Sequence, residues 1–578
     1  MARRTPHVRS YEDSGFEALE QRQVLAGDFA VSVGALFNDF DRRADAQVIR
    51  LTATVNNVGT LNYRGRASME FYLSADDSFD VADDFLFETK DLRNLPRIGG
   101  RMDVRLDTVE PALVDPPAPL RHVAPGEYFV VARLVLDNSS FDTNTANNHA
   151  MTFASAVISY EFGILDAGRN RPFTYTQSDG TKVTIKIDRI GTGNLDLTED
   201  GIVLVVTGAE PDASLMISTD RDRPVHFAQI NLPQGIKAVK AQRVTLSGIL
   251  TIQGFISRIL LGKLDRGSIT IQNGFGRGVT IEAGDVRDAV ITSNLPIDAL
   301  NVRSWRDTDG TADFLRAPFI SNISSGGDFA PSVTVTSFNS NSMSIDRFVA
   351  KGNVSGVWSL ARGVEIWEAG STTASFRANI AGVVENFRTR GDMRGTLASP
   401  LMFNIDIGGS LISGRILAGY NLGADLEIGG TGSNADQARN GSLDTIRIRR
   451  DMTNSIVASG LRTTDNILLD DDDTLVTSPA GAAIGHIEVG RRMQNSFFVS
   501  PILPGTARVN NRTVTVADDT RFADSLPLPA GVRFLNPSDP PPPSGGSSGG
   551  SGGGSGGSGN DSPPPTSGLS YLRSRGRR

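Results

Sequence analysis

The sequence predicts an all-β chain, an immunoglobulin-like β-sandwich followed by a right-handed parallel β-helix. Three observations predict it. A phrase recurs down the second half: apolar, any residue, apolar, two or three small or polar residues, a corner Asp, Asn or Ser, then Val, Met or Leu. The first third carries short strands of period two between turn residues. Finally, 61 of the 578 residues are glycine, and long helical patterns are hard to find, which suits a strand-rich chain with many turns.

Residues 1–27 are polar and charged and form a targeting or disordered segment. A secretory signal needs an apolar core of about 7–15 residues, and Phe16 to Ala26 is too broken by charge to supply one. Residues 28–157 read as the sandwich. Ile49, Leu51, Ala53 and Val55 alternate with polar neighbours, which places Leu51 and Val55 on one face. Asn56-Asn57-Val58-Gly59-Thr60 turns the chain. Phe71 to Ser74 and Tyr128 to Val135 supply further strands. Residues 158–235 form a β-rich cap or transition, with a hairpin of Phe173–Thr176 and Val183–Ile187 around an Asp179-Gly180 turn. Such a cap hides the open end of a solenoid.

Residues 236–535 carry the repeat. Phe348-x-Ala350 leads to Asn353-Val354, Phe387-x-Thr389 to Asp392-Met393, and Ile405-x-Ile407 to Ser410-Leu411. Ile446-x-Ile448 leads to Asp451-Met452, Ile487-x-Val489 to Arg492-Met493, and, more loosely, Val279-x-Ile281 to Asp285-Val286. The corners at 285, 353, 392, 410, 451 and 492 are 68, 39, 18, 41 and 41 residues apart. Most gaps are near one or two times a unit of about twenty residues, the period of stacked coils. Further inward pairs are expected at Leu250-x-Ile252, Ile269-x-Ile271, Leu300-x-Val302, Val333-x-Val335, Val364-x-Ile366 and Leu426-x-Ile428. Parallel crossovers wind right-handed. Residues 536–578 are a Pro/Gly/Ser-rich tail, too poor in apolar side chains to offset its ordering entropy.

Composition excludes several classes. With no cysteine, disulfides and thiolate zinc sites are ruled out. No apolar run approaches the ~18 residues of a spanning helix, so no transmembrane span is expected. A net charge of −8 argues against nucleic acid as a general partner. Arginines at both ends, including Arg3, Arg4, Arg575 and Arg577, read as solvated tails or as contacts to an anionic envelope polymer.

Family resemblances add to this. Phe16 to Ala26 resembles the LEPR-XLL motif of planctomycete surface and exported proteins, with Gln21 where the motif has Pro and Val24 where it has Leu. That resemblance implies export or envelope association; Phe16, Leu19 and Gln23 at helical spacing also fit an ordinary amphipathic stretch. In the sandwich segment, Asn57-Val58-Gly59-Thr60, Phe71 to Ser74 with Asp76 and Asp77, Asp83-Asp84, Gly126-Glu127-Tyr128, Asp137 and Asn147-Asn148 occur in that order. This series resembles the bacterial cell-adhesion-related domain, CARDB, although Thr145-Ala146 stand where that family has an acidic residue. It implies an extracellular sandwich and adhesion. The array resembles the Gly-Asp-punctuated solenoids of planctomycete exported proteins.

Candidate chemistry is sparse. The histidines, His7, His122, His149, His226 and His486, form no ligand-spaced pair. Gly274 to Gly278 reads as a solenoid turn, not a phosphate cradle. Asp307, Asp309 and Asp313 alternate around Gly310, and could give oxygens to Ca²⁺ or form an enzyme cleft with Arg303 and Arg306; a solvated loop is the plainer reading. Asp76, Asp77 and Asp80 form a second candidate Ca²⁺ set, beside the alternative of an ordinary turn, and Asp470 to Asp473 a weaker one. Trp358 is expected in the core, aligned with Leu397, Ile456 and Phe497; Trp367 is expected on the outer face, stacking on a sugar or covering an edge.

The expected function is that of a non-enzymatic, extracellular or cell-surface structural or adhesion protein. Its partners would be envelope or extracellular polysaccharides or proteins, and Ca²⁺ its one candidate cofactor. The rival is a polysaccharide lyase or hydrolase on the β-helix.

Overall fold

The computed structural model describes residues 26–41, 46–109, 126–158, 160–164, 170–177, 179–198, 201–221, 223, 225–272, 278–463, 468–469, 474–475, 482–515, 532–533 and 573–574. The targeting-like motif, most of the turn at 274–278, the acidic run at 470–473 and the Pro/Gly/Ser tract lie outside them. Among the described residues there is no α-helix. The chain forms two compact units, divided in sequence between positions 159 and 160.

The first unit is two antiparallel sheets. One holds β1 (Phe29–Val33), β2 (Phe37–Asp41), β3 (Ala46–Asn57) and, on the other side of β3, a long pairing with Arg101–Val109. The other sets Phe85–Leu92, Ala67–Ser74, Gly126–Leu136 and His149–Met151 side by side, with Ala156–Ile158 also on Gly126–Leu136. As the alternation predicts, Ile49, Leu51, Ala53 and Val55 are buried, together with Met69, Phe71 and Leu73 of the second sheet. The turn after β3 is held by Asn57: its amide donates to the Leu61 and Pro96 carbonyls (3.0 and 3.2 Å) and its oxygen accepts from the Gly59 N–H (3.1 Å).

The second unit opens with antiparallel strands, including the expected hairpin of Phe173–Thr176 with Lys182–Ile187. Parallel pairing begins before position 236, where Ile202–Val205 lies along Phe227–Asn231. From there the chain winds as a parallel β-solenoid of about 14 turns. Each coil has three walls, here A, B and C. One coil shows the plan: Met343–Ala350 is wall A, Asn353–Val354 is wall B and Val357–Leu360 is wall C.

Each wall stacks one inward residue of every coil on the next. Wall A runs Leu300, Ile323, Phe348, Trp367, Phe387, Ile405, Ile446, Ile487. Wall C runs Leu315, Val333, Trp358, Ala378, Leu397, Ile416, Val457, Phe498. Wall B runs Val286, Trp305, Phe329, Val354 and, further on, Met393, Leu411, Met452, Met493. All are buried, and each large side chain so covered contributes about 1.5–3 kcal/mol. At about 4.8 Å per coil, about 14 coils make a stack roughly 65 Å long.

The corner residue has a defined task. The carboxylate of Asp328 accepts the Asn353 N–H (2.9 Å), Asp392 that of Ser410 (2.8 Å) and Asp451 that of Arg492 (3.1 Å). Each of these aspartates therefore satisfies a backbone donor one coil further on, which a bend in the ladder would leave unpaired. The backbones approach so closely there that a Cβ on Gly352 would sit 2.6 Å from the Asp328 nitrogen.

Several readings are corrected. The two 41-residue gaps are single coils, because Ile405 pairs directly with Ile446 and Ile446 with Ile487. The extra residues of the first leave at Gly419 and return at Gly441, and a Cβ on Gly441 would sit 2.2 Å from the Gly419 Cα. Leu426-x-Ile428 lies in that excursion and is no rung; Leu426 has φ +57°. The excursion buries Tyr420, Leu422 and Ile428 and is tied to wall C by the Asn379 amide, which donates to Asn421 Oδ1 and the Leu422 carbonyl (2.8 and 2.9 Å). Wall C is buried on both faces at Ala378-Asn379, Leu397-Ala398, Val457-Ala458 and Phe498-Val499, and the strand register aligns Trp358 with Leu397, Val457 and Phe498 rather than with Ile456 and Phe497. The 68-residue gap holds two further corners, at Ser304-Trp305 and Asp328-Phe329.

Trp367 is a further correction. The wall-A pattern is apolar, two outward residues, apolar, outward, apolar, seen as Val364, Trp367, Ala369 and as Val384, Phe387, Thr389. The pair of outward residues shifts the alternation, so Ile366 faces out and Trp367 faces in. Trp367 is 1% exposed and stacks on Phe387 at 4.2 Å and 8°.

Candidate functional site

The corner after Trp305 concentrates the charged chemistry. Wall A of this coil continues into wall B as the strand Ile297–Arg306, which carries Trp305 into the core. The indole N–H then needs an acceptor in a dry interior. Asp313 provides it: Oδ2 accepts Trp305 Nε1–H (2.8 Å), and Oδ1 accepts the Ala289 N–H of the preceding coil (2.8 Å). Asp313 is 3% exposed. Burial pushes its carboxyl up to about 6, against the two hydrogen bonds, with Asp307 and Asp288 adding repulsion.

Residues 307–312 bulge outward between these anchors. Asp307 accepts the Gly310 N–H (3.3 Å) and Asp309 the Thr311 N–H (2.7 Å). Both carboxylates face Asp288, which lies one coil earlier in the left-handed region, φ +49°. Asp288 accepts the Thr308 N–H (2.6 Å) and hydroxyl (2.7 Å). Burial acts to raise its carboxyl, but these bonds, one from the Asp309 N–H and the Arg287 charge hold it below the ordinary carboxylate range. One carboxylate oxygen from each of Asp288, Asp307 and Asp309 lies within 4.8 Å of the others, the one such group among the described residues. Three convergent carboxylates at a partly open surface are hard-cation chemistry, with room for water as further ligands.

The structure thus brings Asp307 and Asp309 together and sends Asp313 into the core, where it acts as a polar anchor. Asp288 takes its place. Sequence reasoning missed it because the copy of the phrase at Ser304-Trp305 went unseen; once Arg287 is paired with Arg306, Asp288 falls beside Asp307. Arg303 pairs with Asp285 (3.4 Å) instead of lining a cleft.

The second acidic set stays apart. Asp76 accepts the Ser78 N–H (2.9 Å) and hydroxyl (2.7 Å) in an exposed turn, bonds that hold its carboxyl low. Asp80 accepts the Ala82 N–H (2.8 Å). Asp76, Asp77 and Asp80 form no common oxygen cluster. Deeper in the sandwich, Asp142 is 5% exposed and accepts the Phe29 N–H (3.1 Å) and the Asn144 N–H (2.9 Å), while Asn147 donates to Asp28 (2.8 Å). These tie the end of the unit to its first strand.

No family model and no curated protein matches the chain. Among solved structures, it is similar to a CARDB domain of a Pyrococcus furiosus protein, crystallised in complex with two metal ions. The identity is 12%, the match covers 23% of this chain and 94% of that one, and the TM-score is 0.16. No helix among the described residues is long and apolar enough to cross a membrane.

Proposed function

We propose that the protein is a non-enzymatic structural or adhesion protein of the cell surface or extracellular space. The sandwich would be its recognition module and the solenoid a rigid stalk or lateral binding surface. One observation carries this reading: a single sheet of 33 strands in which successive coils are hydrogen-bonded from the cap to Arg512–Thr515. A stack in which each coil contacts only its neighbours resists bending and offers a long lateral face. The rival enzyme drew on Asp307, Asp309 and Asp313; with Asp313 committed to Trp305, that trio shares no cleft. Surface labelling and fractionation of the source cells test the proposal: the protein should be labelled on intact cells, and a purely cytoplasmic pool would refute it.

The Asp288, Asp307 and Asp309 cluster favours a second reading, in which Ca²⁺ braces this corner. On that reading EDTA lowers the melting temperature, Ca²⁺ restores it, and Asp288→Asn removes the response. An unchanged melting curve discards calcium and leaves the scaffold proposal standing.

A further inference from the structure

The last coils carry an arginine edge. In wall A, Arg388, Asp406, Arg447, Glu488 and Arg508 occupy one outward column on successive coils. Each acid is shared: Arg388 (3.7 Å) and Arg449 (2.9 Å) both reach Asp406, and Arg447 (2.7 Å) and Arg508 (3.6 Å) both reach Glu488. The same column begins with Glu368 beside Arg388, so the column alone is balanced; Arg449, which joins it from the side, leaves four arginines against three acids.

Beside it, Arg390, Arg450, Arg491 and Arg492 at the corner between walls A and B, and Arg394 on wall B, are exposed. The corner carboxylates Asp392 and Asp451 accept backbone N–H groups, and none of the ion pairs found among the described residues engages these five guanidinium groups, so the patch keeps an excess of positive charge. The corner backbone sets their spacing. The Gly409 N–H donates to Gly391 (2.9 Å), Arg450 to Gly409 (3.1 Å) and Arg491 to Arg450 (3.1 Å), so Arg450 and Arg491 repeat at the coil rise of about 4.8 Å. A cluster of unpaired cations costs self-repulsion, and here it sits on a chain of net charge −8.

We infer that this edge is a binding site for a linear polysaccharide bearing carboxylate or sulfate groups, laid along the solenoid axis. The inference rests on the reading of the solenoid as a binding surface and names its ligand class. Guanidinium forks take carboxylate and sulfate oxygens two at a time. Arg450 and Arg491 in register on successive coils, flanked by Arg447, Arg449, Arg492 and Arg508, suit a polymer that carries its charges at intervals along an extended chain. Duplex DNA fits less well: it presents a charge per about 1.7 Å of axis, and the protein's overall negative charge opposes so dense a field.

The test uses the full chain with four probes: polygalacturonate, dextran sulfate, neutral dextran and a DNA duplex, with affinity measured across a salt series. The combined variant Arg390→Ser, Arg450→Ser, Arg491→Ser, Arg492→Ser removes unpaired groups only. A control, Arg64→Ser, Arg306→Ser, Arg316→Ser, Arg347→Ser, removes the same charge elsewhere. Circular dichroism and melting curves establish that both fold. The expected result is salt-sensitive binding of polygalacturonate or dextran sulfate and none of neutral dextran. The edge variant should lose about tenfold or more and the control less than twofold. Which polyanion binds tighter tells carboxylate from sulfate. Absence of binding to both polyanions at low salt, equal loss in the two variants, or tighter edge-dependent binding of DNA each overturns the inference. Failure here leaves the surface scaffold untouched, since cell fractionation decides that separately.

Discussion

Replacing Asp313 by Asn should make the solenoid more stable at neutral pH and less stable in acid. Asp313 is 3% exposed and its carboxyl is raised from 3.8 to about 6. The unfolded chain releases this proton near 3.8 and the folded chain near 6, so between those values the folded state holds more protons. Stability therefore falls as pH rises through that window and is level on either side, as far as this group is concerned. At about 1.4 kcal/mol per pH unit, the loss by pH 7 is roughly 3 kcal/mol as an upper figure. Asn cannot ionise, so it escapes that loss. It offers one acceptor where the carboxyl meets two donors, Trp305 Nε1–H and Ala289 N–H, which costs about 1 kcal/mol. The variant should then lead by about 2 kcal/mol at pH 7 and trail by about 1 kcal/mol at pH 3.5, with the curves crossing between about 4 and 6. Denaturant unfolding followed by tryptophan fluorescence, on both proteins across that range, reads the difference. A wild-type-minus-variant difference that does not change with pH would refute the reasoning.

Other consequences follow from the same packing. Trp367→Ala removes the side chain stacked on Phe387 and should cost about 3–5 kcal/mol, read as a lower denaturation midpoint; a change in carbohydrate binding with intact stability would restore the outward placement. Asp451→Ala leaves the Arg492 N–H without its acceptor and should cost about 1 kcal/mol, whereas Asp451→Asn, which keeps an acceptor oxygen, should cost less; equal midpoints for the two would discount the corner bond. Deleting residues 420–440, so that Gly419 joins Gly441, should leave a folded strand-rich protein by circular dichroism, with a lower melting temperature because wall C loses its outer cover. Loss of cooperative unfolding would instead mean that the excursion is part of the stack.

The period, the corner residues and the apolar pairs were legible in the sequence because each is a local consequence of a short strand followed by a tight bend. Ile405-x-Ile407 to Ser410-Leu411 reads as one rung followed by one corner, and the molecule builds it so. What misled was phase and partnership. Val364-x-Ile366 looks like an inward pair until the adjacent coils fix the register; only the pairing of Trp367 with Phe348 and Phe387 shows that two successive residues point outward. Leu426-x-Ile428 has the right local pattern and no coil to join. Both errors arise because alternation specifies that a face is apolar, while the neighbouring strands decide which face that is.

By itself the sequence determined that this chain is built of short strands turning at Asp, Asn, Ser and Gly, in a sandwich followed by a stacked array, because period-two burial and turn conformations are set within a few residues. The tertiary structure alone decided which distant carboxylates meet. Asp288 reaches Asp307 and Asp309 from the coil before, and Asp313, close to them in sequence, is drawn inward by the indole of Trp305. The physical reason is that a solenoid makes neighbours of residues about one coil apart, and a buried donor claims its acceptor before solvent or a cation can.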